Sequence, residues 1–125
     1  MSDGPGSGFR YVRLYADEQG ESHFEDVVVS GEHQGHAIVT APIALSSMIM
    51  RRVVSTDADA VRHNAPRRQF IVHLVGSVEV EASDGERRRF DPGDVVLVED
   101  VVGRGHVTRW LGDGEYRTLF LPVPD

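Results

Sequence analysis

The chain has 125 residues, a length that suits one domain whose single core buries about two thirds of the surface exposed by the unfolded chain. Twenty acidic residues against 13 basic ones give a formal net charge of −7, which argues against nucleic-acid and anionic-membrane partners because phosphate contacts need a basic face. Cysteine is absent, excluding disulfides, thiolate metal sites and thiol nucleophiles, and all 13 basic residues are arginine, which removes lysine Schiff-base chemistry and is equally what GC-rich coding produces.

The polar start Met1-Ser2-Asp3-Gly4 has no signal-peptide apolar core, and no apolar run approaches the roughly eighteen residues of a spanning helix. A cytoplasmic protein is expected. Residues 1–9 read as a flexible tail and residues 10–125 as one domain. Short β-branched and aromatic segments then alternate with turn residues, the pattern of an all-β barrel or sandwich. Strands are expected over residues 10–15, 26–29, 45–54, 68–75, 78–82, 87–90, 94–98, 106–111 and 116–122. Residues 30–42, rich in Gly and His, are the least readable, and no window carries a helical stripe. Arg87-Arg88-Arg89, interleaved with acids, reads as a solvated strand edge. Ser83-Asp84-Gly85-Glu86 has the Asp-Gly pair of a hairpin, and Asp91-Pro92-Gly93-Asp94 pre-sets φ at Pro92 for a tight turn.

His63-Asn64-Ala65-Pro66-Arg67-Arg68-Gln69, followed by Gly76, resembles the first motif of the cupins, small β-barrels that carry His-x-His, a Glu and then a Gly at this spacing. Here the second His of that motif is Ala65 and the Glu is Gln69. The Pro92-Gly93-Asp94 turn is similar to the one that precedes the second-motif histidine of cupins. His106 stands at that position after a longer and more charged loop, Glu99-Asp100-Val101-Val102-Gly103-Arg104-Gly105. The resemblance spans about residues 46–121. A weaker one, in Arg13-Leu14-Tyr15 and Glu21-Ser22-His23-Phe24, is to small bacterial single-domain cupins, whose members mostly lack an assigned reaction. It implies a single-domain antiparallel jelly-roll barrel (a double-stranded β-helix), and a homodimer paired through strand edges, with residues 10–15 as the contact. It also implies His63, Gln69 and His106 as ligand positions for a divalent transition metal such as Fe, Zn, Ni or Mn. Two imidazoles and an amide make a weak, neutral set with no anionic ligand.

If Gln69 faces inward, strand alternation puts Ile71 and His73 on the same face, and likewise His106, Thr108 and Trp110 on one face. Met48 and Met50 are expected to line the adjoining strand, either around a ligand or as ordinary core. His73 stands in an apolar stretch and reads either as a core histidine bonded to a backbone carbonyl or as a catalytic group. It lies about 13 Å along the strand from Gln69, too far to share one ion. Arg67 or Arg68 can meet a substrate carboxylate or pair with Glu99 or Asp100. His23 is expected to be structural, and His33 and His36 to be exposed.

Three functions compete. The first is a non-redox enzyme of isomerase, cyclase or dehydratase type, with a biosynthetic setting by analogy only. Its catalytic set would be His73, His106, His63 and Gln69, with His73 and His106 as proton donor and acceptor, and Met48, Met50, Ile71, Thr108, Trp110 and Arg68 as substrate contacts. The second is a metal-dependent oxygenase using His63 and His106. The third is a binding module that holds an apolar or mixed-polarity small molecule and catalyses nothing.

Overall fold

A computed structural model describes residues 8–54 and 61–125. The β-branched segments of the sequence form eleven strands and no helix among these residues: β1 (Phe9–Ala16), β2 (Ser22–Val29), β3 (Gly31–Gln34), β4 (Ala37–Thr40), β5 (Ile49–Val53), β6 (Gln69–Val75), β7 (Ser77–Ala82), β8 (Arg87–Phe90), β9 (Val95–Val98), β10 (His106–Leu111) and β11 (Tyr116–Pro122). The protein is all-β, as its alternating pattern predicts. Most of the expected tail, residues 1–7, lies outside the described residues, whereas Phe9, counted with that tail, already opens β1.

Six strands form one sheet in the order β2-β1-β9-β6-β11-β5, three form a second in the order β10-β7-β8, and β3–β4 is a separate hairpin. Pairing is antiparallel except for β1 with β9, which run parallel from Val12 opposite Val96 to Leu14 opposite Val98. Since β1 is bonded on both sides, the contact expected of residues 10–15 has no free edge to use; β2 and β5 are the sheet's outer strands. The two sheets pack face to face through Leu14, Phe24 and Val96 from the larger and Val78, Val80 and Phe90 from the smaller.

The predicted turns form with their predicted chemistry. Gly93 takes φ +96° while Asp94 N–H donates to the Asp91 carbonyl, and in the other turn Glu86 N–H is held by the Asp84 carboxylate. Two segments depart from expectation. The Gly- and His-rich residues 30–42 contain the β3–β4 hairpin, with His33 and His36 exposed at its end. The expected strand over residues 45–54 is shortened to β5, and its pairing with β11, Arg51 opposite Thr118 and Met50 opposite Leu119, decides its inner face. Arg51 and Val53 turn inward. Met48 and Met50 point out, 55% and 76% exposed.

His23 ties turns of the two sheets together, its ring nitrogens lying 2.7 Å from Asp17 and 2.8 Å from Asp84. These two carboxylates, Asp17 first, hold its pKa above the usual 6.5. A histidine with a raised folded pKa contributes fully below the unfolded value and loses that contribution as pH rises through the folded one. His23→Gln should therefore lower the melting temperature more at about pH 6 than at about pH 9. Melts showing an equal or larger loss at the higher pH would contradict the assignment.

Candidate functional site

Between the sheets lies a cavity of about 320 Å³. Its middle is apolar, walled by Ile71, Val80, Val96 and Phe120, and polar side chains gather at its two ends. His63, Gln69 and His106 form one end. Arg51, His73 and Thr118 form the other.

Backbone geometry builds the first end. His63 and His106 exchange both backbone hydrogen bonds, 2.9 Å each way, which brings their rings to a 4.6 Å centroid separation. Gly105 allows this approach: it has φ +72°, and a Cβ there would fall 2.2 Å from the His63 carbonyl oxygen. Ser22, fully buried, holds the same loop by donating its hydroxyl to the Gly105 carbonyl at 2.7 Å.

Asp100 lies behind His106 with no solvent exposure, its Oδ2 2.5 Å from His106 Nδ1. Its backbone carbonyl accepts from Ala65 N–H and from the Asn64 side chain, so the loop strand and the first motif are clamped together. A carboxylate facing Nδ1 accepts a hydrogen bond from the proton on that nitrogen and so favours the tautomer in which Nε2 keeps its lone pair. His63 Nδ1 donates to the Val61 carbonyl at 3.0 Å, so its Nε2 is left in the same condition. Gln69 is 1% exposed, and its Oε1 accepts from the Arg67 guanidinium at 2.9 Å.

His63, Gln69 and His106 are the residues that would hold a divalent transition metal such as Fe, Zn, Ni or Mn, and they make a weak donor set for one. Among the described residues no three His, Asp or Glu side chains converge on one point. The nearest carboxylate is engaged by His106, and the amide oxygen that would be the third ligand already faces a guanidinium cation.

At the second end, Thr118 of β11 stands between Arg51 of β5 and His73 of β6, each its cross-strand partner. A register shift in the β6–β11 ladder beside Thr118 skips Leu74, and His73 is fixed by backbone bonds to Asp94 and Gly93. The His73 ring stacks on Phe90 at 5.6 Å and 8°. Burial pushes its pKa down and Arg51 adds to this, against the opposing pull of Asp94 and Asp91; the imidazole is neutral at neutral pH.

His63, Gln69, Ile71, His73, His106, Thr108 and Trp110 all line the cavity. His73 and His106 nevertheless stand at opposite ends, because His73 is level with Phe90 and Val78 while His106 lies four residues along β10 from Trp110, the partner of Val78. That is about 13 Å of strand. His63, not His73, is the neighbour of His106. Arg68 is outside: its guanidinium donates to Glu99 Oε2 at 2.6 and 2.9 Å. Burial of Glu99 raises its pKa, but Arg13 and Arg68 prevail and hold it below the ordinary value. Met50, exposed on the far face of β5, and Met48, exposed just before that strand, are not cavity contacts either.

Asp100, Arg51 and Thr118 are the site residues that the sequence reading lacks. Thr118 was accessible to it, because alternation along residues 116–122 puts it on one face with Phe120; the other two depend on tertiary pairing.

No protein-family model matches the chain, and no curated protein matches it.

Removing the hydrogen-bond partner of a buried carboxylate typically costs about 1–3 kcal/mol or more, because the group is left uncompensated. His106→Phe should thus lower unfolding free energy by about that amount, and adding Asp100→Asn should recover part of it. Denaturant titrations in which the double variant is no more stable than His106→Phe would show that Asp100 does not depend on His106.

Proposed function

We propose that this chain is a small cupin-type jelly-roll barrel whose cavity binds a small molecule and moves protons on it without redox chemistry, as an isomerase, cyclase or dehydratase does. The observation that carries this reading is the buried Asp100–His106 pair. A carboxylate on Nδ1 fixes the orientation and tautomer of the imidazole and presents Nε2 as a proton acceptor, the arrangement general-base catalysis uses. His106 Nε2 takes the proton and, as imidazolium, returns it to a neighbouring atom of the substrate, while His63, its Nε2 also carrying a lone pair and its ring 4.6 Å away, accepts a hydrogen bond from the substrate. One proton leaves the substrate and one is given back, so no oxidant is needed. Asp100 is a positioning residue; His106 and His63 are the catalytic ones. Gln69, held by Arg67, offers its amide N–H to the substrate at the same end.

The apolar walls serve this chemistry by excluding water from the transfer and by holding the body of the substrate. The cupin reading is supported by the way His63, Gln69 and His106 gather at one end of a cavity between two sheets, with Pro92-Gly93 turning the chain into β9.

Proton transfer at carbon writes deuterium into a substrate in D2O. Benzylacetone and phenylpyruvate, both enolisable and small enough for the cavity, are suitable NMR probes. Their exchange should be accelerated by the protein, and His106→Gln should cut the acceleration by about 10²–10⁴-fold. Exchange unchanged by His106→Gln and His63→Gln would return both histidines to a structural role. Untagged protein carrying a full equivalent of iron, zinc, nickel or manganese would instead favour the oxygenase reading.

A further inference from the structure

We infer that the Arg51–Thr118–His73 end of the cavity is an anchoring subsite for a carboxylate, so that the ligand is a monoanionic acid with an apolar or aromatic body directed toward His106. This rests on the cavity being the ligand site proposed above, and it adds the class of molecule that enters.

Thr118 carries the first observation. Its residue is 5% exposed, its side chain lines the cavity, and its hydroxyl has no hydrogen-bond partner among the described residues. A buried hydroxyl left unpaired costs about 1–3 kcal/mol, so a ligand that accepts its proton recovers that loss. Arg51 carries the second, independently. Among the described residues it is the arginine that lines this cavity, and it has no carboxylate within 4.0 Å, unlike the paired Arg13, Arg68, Arg88 and Arg109. Among the described residues no Asp or Glu lines the cavity, so none of them gives the guanidinium a counter-charge there.

The placement of the group suits an anion. Its carbon lies 5.6 Å from the Trp110 ring centroid and 5.2 Å from that of Phe120, so aromatic faces hold the guanidinium at the wall. Thr118 is its direct cross-strand neighbour, so its Cβ stands about 5 Å away, close enough for both side chains to donate to the same carboxylate. His73 flanks Thr118 on the other side and, being neutral, adds a donor without adding charge. A single cation beside one hydroxyl matches a carboxylate better than a dianionic phosphate, which draws on several donors. The opposite histidines then meet the far end of the same molecule.

Hydrocinnamate and its amide test this, being alike in shape and different in charge, with binding followed by calorimetry. The wild-type protein should bind the acid about tenfold more tightly than the amide. Arg51→Gln should bring the two to near parity, Thr118→Val should weaken the acid selectively, and Arg52→Gln, its outward-facing neighbour, should retain the preference. Equal binding of both compounds to the wild type, no saturable binding of the acid, or a preference that survives Arg51→Gln would each overturn the subsite. His106→Gln separates this from the catalytic reading: it removes the proposed base and should leave the acid preference in place.

Discussion

A carboxylate with no solvent exposure needs a partner, and the partner of Asp100 is His106. This requirement organises much of the molecule. The Asp100 backbone carbonyl holds the Asn64–Ala65 segment, its side chain fixes His106, and His106 in turn is bridged to His63 through both backbone groups. The loop that carries Asp100 is closed by further constraints: Gly103 lies against Gly20, where a Cβ would be 2.5 Å from a carbonyl oxygen, and Glu99 is held between Arg13 and Arg68. A charge buried in this way is a poor source of net stability, because desolvation offsets much of the attraction. What it supplies is position. One imidazole is fixed in rotation and tautomer at the end of a cavity whose remaining walls are mostly apolar.

The cavity's polarity has two poles separated by an apolar belt, and the pleat explains it. On β6 the inward positions are Gln69, Ile71 and His73, so polar groups occupy the two ends of the strand and an aliphatic one the middle. On β10 the series is His106, Thr108, Trp110, and on β11 it is Thr118 and Phe120. A ligand lying along the strands therefore meets imidazoles at one end, hydrocarbon in the middle, and a guanidinium with a hydroxyl at the other. Such an arrangement distinguishes the two ends of a molecule bound along the strands.

Much of this was legible in the sequence. Residues 106–111, 116–122 and 87–90, expected as strands, form strands with those bounds, and alternation from Gln69 placed Ile71 and His73 on the cavity side. What local pattern could not supply was pairing. The strand holding Met48, Met50 and Arg51 illustrates the limit, because hydrophobicity favours methionines inside, whereas the register with β11 turns Arg51 inward and leaves Met50 opposite Leu119 on the outer face. A shift of one residue exchanges the two faces. The parallel pairing of β1 with β9 joins segments far apart in the chain, and the β3–β4 hairpin has no apolar alternation because half of it is exposed. Asp100 was visible within its motif as a charge. Its burial comes only from the contact of three segments.

The net charge of −7 bears on the anionic ligand, and its effect depends on distance. Most of the acids sit on the surface and many are paired, as Glu81 is with Arg109, Glu99 with Arg13 and Arg68, and Asp26 with Arg88. Exposed charges act through water and salt over a screening length of about 8 Å at physiological ionic strength, so their repulsion of an approaching anion is weak beyond that range. Arg51, exposed on its outer side, acts at contact from the cavity wall; burial of the rest of the side chain pulls its pKa below the ordinary arginine value and removes part of its hydration. An anion seated there replaces part of that missing hydration. The surface charge should thus slow association somewhat, while the affinity at the subsite is governed by the Arg51 guanidinium at the cavity wall.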